Sequence, residues 1–169
     1  MAIKQSVQDA INEQIKEEFY SAFIYLSMSA YFESISLGGL AHWMRLQYQE
    51  EEAHALRLFD YLNERGGKVE LREIPAPTAD FRSPLQVMEQ ALNHERHVTS
   101  LIESLYEKAA HENDYATQAA LQWFITEQVE EESNAGTIVE QLRMIGDNRA
   151  ALLMLDMELG KRTPEAEGS

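Results

Sequence analysis

The sequence contains no cysteine, only four prolines and only eight glycines among its 169 residues. The absence of cysteine excludes disulfides, thiol catalysis, zinc ribbons and rubredoxin-type iron sites. The scarcity of proline and glycine leaves long uninterrupted segments, and patterns typical of β-strands are nearly absent. We therefore expect a chain built almost entirely from long helices.

Positive charge is scarce as well, since 14 lysines and arginines face 29 aspartates and glutamates, for a net charge of −15. This balance disfavours binding to nucleic-acid phosphates and makes cations the more natural partners. The longest uncharged run, from Phe19 to Phe32, is too short to span a bilayer. The first ten residues lack the apolar core of a signal peptide. We expect one soluble, cytoplasmic domain that binds neither membrane nor nucleic acid.

Apolar residues recur at helical spacing in four long segments and one short one. The predicted helices cover residues 6–35, 40–65, 84–111, 115–144 and 150–159. Ser83 and Asp114 are expected to cap the third and fourth helices, with Pro84 at the first helical position. Residues 37–39 are expected to form a tight turn between the first two helices.

The connections between these helices predict the topology. The first and third connections are short, which makes each helix pair antiparallel, whereas the roughly 16 residues of 68–83 are enough to run back along the bundle. The prediction is an all-α four-helix bundle with one long crossover and a short fifth helix at the C-terminus. A plain up-and-down bundle with a long loop is the alternative. Residues 1–160 are expected to form the domain and residues 161–169 a polar tail.

Each long helix carries polar residues within its apolar row. These residues are Glu18, then Glu51 and His54, then Glu95, then Gln128 and Glu131. All of them lie near the middle of their helices, so an antiparallel bundle would bring them to one level. A single glutamate on a helix is more often solvated than a ligand. A common site is favoured because all four helices carry such polar residues at matching positions.

Several carboxylates in a buried layer repel one another and take up protons unless a cation compensates their charge. Oxygen ligands combined with one imidazole suit Fe(II) or Mn(II) better than a structural zinc ion. The number of carboxylates is sufficient for two ions. The pattern therefore predicts a dinuclear metal site inside the bundle.

The set of inward polar residues resembles the ferroxidase centre of the ferritin family, in its bacterial non-haem branch. The residues that carry this resemblance are Glu18 with Tyr25, Glu51-x-x-His54, Glu95 and Glu127-Gln128-x-x-Glu131. The resemblance covers the helices of the whole chain, including the crossover and the short last helix. It implies a ferritin-like fold with a dinuclear iron centre.

The resemblance also implies a role for each ligand. Glu18 and His54 would bind the first iron, Glu51 would bridge the two irons, and Glu95 and Glu131 would hold the second. The acid–x–x–imidazole spacing of the second helix places both side chains on one face. On this interpretation Glu51 and His54 point inward because they bind iron.

Further residues beside the centre are assigned in the same way. Gln128 would hydrogen-bond water or oxygen, and Tyr25 would act as a hydrogen-bond donor and electron donor, or simply pack. The residues that look like the third iron site of some bacterial ferritins are Glu50, Glu127 and Glu130. The alternative for these three is a solvated run of charge.

Several departures from related families narrow the prediction. The fourth helix has Glu130 three residues after Glu127, where a second ExxH motif would place histidine. Glu52 stands where bacterioferritin has its haem-binding methionine, so no haem is expected. Gln118 and Leu121 occupy the positions of the acidic three-fold channel of animal-type ferritins, which leaves the iron entry route open. Miniferritins that build the site between subunits are disfavoured, because this chain carries every ligand.

The function implied by the resemblance is iron storage and detoxification. Two Fe(II) ions would bind, reduce O2 and leave as ferric iron, which forms a mineral inside a hollow cage of 24 subunits. The alternatives are a di-iron oxidase or oxygenase acting on an organic substrate, and a purely structural bundle with buried carboxylates. The remaining histidines are expected at the surface or at helix caps: His42, His94, His97 and His111.

Overall fold

The computed structural model describes residues 2–166 and contains five helices in that range. They are α1 (Gln5–Ser34), α2 (Gly38–Glu64), α3 (Pro84–His111), α4 (Tyr115–Ile145) and α5 (Arg149–Leu159). Each helix begins and ends within two residues of its predicted position, and no strand occurs in the described part of the chain. The all-α prediction is confirmed. None of these helices is both long and apolar enough to cross a membrane.

The long helices form two pairs, α1 with α2 and α3 with α4, and α1 also packs against α3. The segment between α2 and α3 is irregular and runs along α1. Side chains of α1 bind the backbone of this segment. Asn12 Nδ2 donates to the Lys68 carbonyl oxygen at 3.0 Å, and Ser27 Oγ donates to the Thr78 carbonyl oxygen at 2.6 Å. These bonds satisfy backbone groups that an extended segment cannot pair internally. The predicted crossover is thus present.

The predicted N-caps are also present. The Ser83 side chain accepts a hydrogen bond from the Gln86 backbone N–H at 3.1 Å, and Asp114 accepts one from the Thr117 backbone N–H at 3.0 Å. Each bond satisfies one of the N–H groups that the first turn of a helix leaves without a partner. The polar residues of the sequence therefore begin these helices where they were predicted to begin.

The connection between α1 and α2 differs from the prediction. The turn lies at residues 35–37, with Ser36 at a positive φ of 61°, and Gly38 and Gly39 form the first turn of α2. A Cβ atom on Gly39 would lie 1.7 Å from the Asp156 carbonyl oxygen. Glycine at this position is therefore required by the close approach of α5, whose Asp156 carboxylate accepts a hydrogen bond from the Leu40 N–H at 2.7 Å.

The core consists of two apolar clusters separated by a layer of polar residues. The first apolar cluster includes Phe32, Met44, Ala91 and Ile138, and the second includes Ile11, Leu58, Ile102 and Leu121. On every long helix one or more buried side chains of glutamate, glutamine or histidine fall between the residues of one cluster and those of the other. This polar layer comprises Glu18, Gln47, Glu51, His54, Glu95, Glu127, Gln128 and Glu131.

Candidate metal centre

The polar layer brings the predicted ligands of all four long helices together at the middle of the bundle. Ligand atoms of Glu18, Glu51 and His54 lie within 4.8 Å of one another, and so do those of Glu51, Glu95 and Glu131. All five residues are at least 96% buried. Because Glu51 belongs to both groups, the arrangement offers two adjacent three-ligand positions that share one carboxylate.

The first of these positions contains carboxylate oxygens without partners. Glu18 Oε1 accepts a hydrogen bond from Gln14 Nε2 at 3.0 Å, but Glu18 Oε2 and both oxygens of Glu51 are buried with no hydrogen-bond partner among the described residues. His54 Nδ1 lies 3.3 Å from Glu51 Oε2 and 3.9 Å from Glu18 Oε2. Buried acceptors left unpaired are costly. A divalent cation among these atoms would compensate them, so the residues present fit a metal.

Neutral donors orient the carboxylates of the second position. The Tyr25 hydroxyl donates a short hydrogen bond to Glu95 Oε1, and Gln128 Nε2 donates to Glu95 Oε2 at 3.1 Å. Gln47 Nε2 donates to Glu131 Oε2 at 2.8 Å. Gln47 was not predicted as a site residue, although it lies one turn before Glu51 on the same inward row. Such supporting bonds fix the direction in which a ligand oxygen points.

Burial and mutual repulsion govern the protonation of the centre. Burial, reinforced by neighbouring carboxylates, raises the pKa of Glu51 and Glu131 well above the ordinary value and that of Glu95 to about 7. Burial lowers the pKa of His54, which keeps its imidazole neutral and able to bind a metal. Burial also raises the pKa of Tyr25, with the Glu95 charge adding to the effect, so its hydroxyl remains a donor.

Glu127 lies at the edge of the polar layer. The residue is 92% buried, and a carboxylate oxygen lies within 4.8 Å of ligand atoms of His54 and Glu131. Burial raises the pKa of Glu127 to about 7, and the charges of Glu165, Glu130 and Glu50 add to the effect. Glu127 thus adjoins both the buried ligand groups of the polar layer and a second acidic group.

The three residues predicted as a third iron site are placed differently from one another. Glu127 and Glu130 lie together, and their companion within 4.8 Å is Glu165 of the C-terminal tail. Glu50 forms an ion pair with Arg162 instead, at 2.8 Å. Sequence patterns gave no sign of Glu165, because the tail has no periodicity that would place it against α4.

The other histidines lie outside the polar layer. His94 is only partly exposed, and its Nε2 lies at hydrogen-bond distance, 2.7 Å, from Ser21 Oγ. Burial lowers its pKa to about 4, with the His97 charge adding to the effect. The expectation of a surface or capping role is therefore wrong for His94, whose ring fills the interface between α1 and α3. His97 and His111 are exposed.

A bundle of four helices that all direct carboxylates into one buried layer is the arrangement of the class of ferritin-like bundle proteins. Residues 8–145 match the ferritin-like domain family, which places the chain in the ferritin family.

Curated relatives extend over nearly the whole chain. The bacterial non-heme ferritin of Bacteroides fragilis is 44% identical over 160 residues, covering 95% of this chain and 99% of the relative. The bacterial non-heme ferritin of Staphylococcus aureus is 38% identical over 165 residues, covering 98% of this chain and 99% of the relative.

Solved structures support the fold. An engineered closed form of the Archaeoglobus fulgidus ferritin has a TM-score of 0.96 and 48% identity, covering 97% of this chain and 100% of that chain. The open-pore ferritin from the same hyperthermophilic archaeon has a TM-score of 0.94 at 48% identity, covering 95% of this chain and 98% of that chain. The prediction of a ferritin-like bundle with one long crossover is confirmed.

Proposed function

We propose that this protein is a ferroxidase subunit of an iron store, which oxidises Fe(II) with O2 and deposits ferric iron as a mineral inside a closed cage of about 24 identical chains. Membership of the ferritin family supports iron storage as the broad function. Iron is here the substrate and the cargo. The finer steps, which are the oxidation, the mineral and the cage, are part of the proposal.

The observation that carries the proposal is the sharing of Glu51. Two three-ligand groups meet at this carboxylate, and both of its oxygens are buried without a hydrogen-bond partner among residues 2–166. A shared carboxylate holds two cations close together. Two neighbouring Fe(II) ions can deliver two electrons, which is the number that O2 requires, with two protons, to become hydrogen peroxide.

The residues of the chain contribute position and charge. The carboxylates of the polar layer favour the more highly charged Fe(III) product over Fe(II), because the negative charge is fixed before the reaction. Tyr25 and Gln128 hold Glu95 through its two oxygens, and Gln47 holds Glu131. These bonds fix the geometry while the charge of the metal changes.

The alternative of an organic-substrate oxidase has one observation in its favour. A cavity of about 380 Å³ reaches His54 from the surface. Its lining combines the charged residues Glu50, Arg57 and Glu165 with apolar residues such as Leu46, Ala53 and Trp123, a composition that is also found in pockets for organic molecules. The observation that favours iron is the sharing of Glu51 between two groups of ligand atoms.

The test of the proposed oxidation is replacement of either Glu51 or His54 by alanine. Each variant should keep its fold and lose the fast phase of Fe(II) oxidation by about a hundredfold or more, equivalent to about 2.7 kcal/mol in the barrier. Stopped-flow absorbance and oxygen consumption measure this rate. Glu103→Ala is the matched control, because Glu103 is an exposed glutamate of α3. Unchanged oxygen consumption in both variants would place the site elsewhere.

The proposed cage is supported by the exposed apolar residues of α5. Leu153, Met154 and Met157 are 54–71% exposed in the single chain, and contiguous apolar surface of this kind commonly marks an interface between chains. Light scattering should report one large closed particle. A stable monomer or dimer in solution would contradict this part of the proposal.

A further inference from the structure

Two histidines lie side by side on α3, outside the polar layer. His94 and His97 are three residues apart, which places both imidazoles on the same face of the helix. Their ring centroids are 6.4 Å apart, and the ring planes are inclined by 48°. His94 is partly buried, whereas His97 is exposed. Neither residue belongs to the ligand groups of the polar layer, so the proposed iron chemistry leaves this pair unused.

A hydrogen bond between α1 and α3 assigns the proton of the His94 ring. Ser21 Oγ donates to the Glu17 carbonyl oxygen at 3.0 Å, and the same oxygen atom lies 2.7 Å from His94 Nε2. A hydroxyl has a single hydrogen to donate. Because Ser21 donates it to Glu17, the bond to His94 has Nε2–H as its donor. The neutral imidazole then carries its lone pair on Nδ1, which has no hydrogen-bond partner among residues 2–166.

This bond has the form of the contact that supports histidine ligands of metals. A ligating imidazole donates its second N–H to a neighbouring oxygen, which fixes the tautomer and the orientation of the ring. Tyr20 constrains the ring further, since the two rings meet edge to face at 87° with their centroids 6.4 Å apart. Two residues of α1 therefore hold the His94 ring and leave Nδ1 as the nitrogen that can bind a cation.

The separation of the two imidazoles suits one cation between them. A cation about 2.1 Å from one nitrogen of each ring separates the ring centroids by about 4.5–6.5 Å, depending on the angle between the two bonds. The observed 6.4 Å lies within this range. Because His97 is exposed, its ring can turn towards the cation without disturbing packed side chains.

We propose that His94 and His97 bind one divalent transition-metal ion, through Nδ1 of His94 and a ring nitrogen of His97, with water at the remaining positions. Two imidazoles and water suit the tetragonal geometry of Cu(II) and Ni(II), and Cu(II) binds such ligands most tightly among the divalent ions of its row. The polar layer, by contrast, offers mostly carboxylates. The histidine pair is thus a second metal site with a different preference, and it does not depend on the ferroxidase proposal.

The experiment is a titration of Cu(II) into the metal-free, assembled full-length protein carrying His54→Ala, followed by electron paramagnetic resonance. This substitution removes the imidazole of the polar layer, so nitrogen ligands detected on copper belong to other histidines. The spectrum should show one copper per chain with two nitrogen ligands. His97→Gln should weaken binding by at least about tenfold and leave at most one nitrogen on the copper. The fold should be unaffected, because His97 is exposed.

Ser21→Ala tests the supporting bond. It removes the acceptor of the His94 N–H and should weaken copper binding by about tenfold while both nitrogens remain. The control is His111→Gln, an exposed histidine of α3 with no histidine three or four residues away, which should titrate as the parent does. Equal affinity and equal nitrogen count in His97→Gln and the parent would show that the pair is not a site. Unchanged affinity in Ser21→Ala would overturn the assignment of His94 Nδ1 as a ligand.

Discussion

The polar layer and the two apolar clusters are built by the same four helices, yet they are held together by opposite means. In the second apolar cluster, Ile11, Leu58 and Leu121 are buried to 99% or more and are stabilised by contact with one another. In the polar layer, Glu18 and Glu51 are buried to the same degree but repel each other and leave oxygens unpaired. The clusters stabilise the folded chain, whereas the carboxylates of the polar layer need a positive charge to compensate them.

The comparison shows that the capacity of the polar layer to bind a cation depends on the stability that the two apolar clusters provide. A layer of unpaired carboxylates can persist only where the surrounding packing offsets its cost. The two clusters enclose the layer from both ends of the bundle, so they provide that packing. Changes in the clusters should therefore alter the stability of the chain. Changes in the layer should alter its response to pH and metal.

The largest effect is expected from the apolar side of the comparison. Leu58→Ala should lower the free energy of unfolding of the metal-free protein by about 2–5 kcal/mol, because it leaves a cavity in the second apolar cluster. Denaturant unfolding at a fixed protein concentration measures the change. The control is Leu56→Ala on the same helix, where the side chain is 50% exposed and the cost should stay within about 0.5 kcal/mol. Equal costs would mean that the Leu56 face is buried between chains.

The next effect concerns the pH dependence of the polar layer without metal. Burial raises the pKa of Glu95 from 4.5 to about 7, so between these values the folded chain binds protons that the unfolded chain has released. Stability should therefore fall as pH rises through this window, by up to about 3 kcal/mol in the free energy of unfolding. Glu95→Gln should flatten the dependence, and exposed Glu103→Gln should preserve it. A metal-free protein whose stability rises across this range would refute the account.

Metal should act on the layer in the opposite direction. A redox-stable divalent ion such as Co(II) that binds only the folded protein should raise its stability by about 2.7 kcal/mol at a hundred times its dissociation constant. His54→Ala removes the nitrogen ligand and should lose most of this increase, while Leu58→Ala should keep it. Thermal unfolding with and without the ion measures both. An equal metal effect in His54→Ala would place the binding outside the layer.

The smallest effect is expected where a buried polar group has all the partners it needs. Asp114 accepts from the Thr117 N–H at 3.0 Å and pairs with Arg65 at 2.9 Å. Asp114→Ala should cost about 1–2 kcal/mol in unfolding free energy, because it removes a helix cap and leaves a cation unpaired. Asn148→Ala removes the exposed cap of α5 and should cost less. Added metal should change neither difference, in contrast to the variants of the polar layer.

Much of the fold was predictable because it depends on local pattern. The helical spacing of apolar residues predicted each helix to within two residues, and Ser83 and Asp114 act as the N-caps expected of them. The position of the turn before α2 was predicted wrongly, because a glycine such as Gly39 is typical of turns. Its actual role is to let Asp156 approach from a helix 117 positions further along the sequence.

The polar layer was predictable for the same reason. Glu51 and His54 are three residues apart, so any helix places them on one face, and their position at mid-helix brought the other ligands to their level. The assignment of individual ligands to iron stays a prediction. Gln47 was overlooked as a supporting donor, since an amide in an inward row carries no sign of which carboxylate it will meet.

The sequence by itself determined the helices, their apolar rows and the level at which charged side chains interrupt those rows, because these follow from a repeat of 3.6 residues. The tertiary structure alone decided that Arg162 pairs with Glu50, 112 residues away, and that Glu165 lies beside Glu127 and Glu130. No periodicity links the irregular segment after α5 to a distant helix. Its position depends on where α5 packs and on which charges happen to face it there.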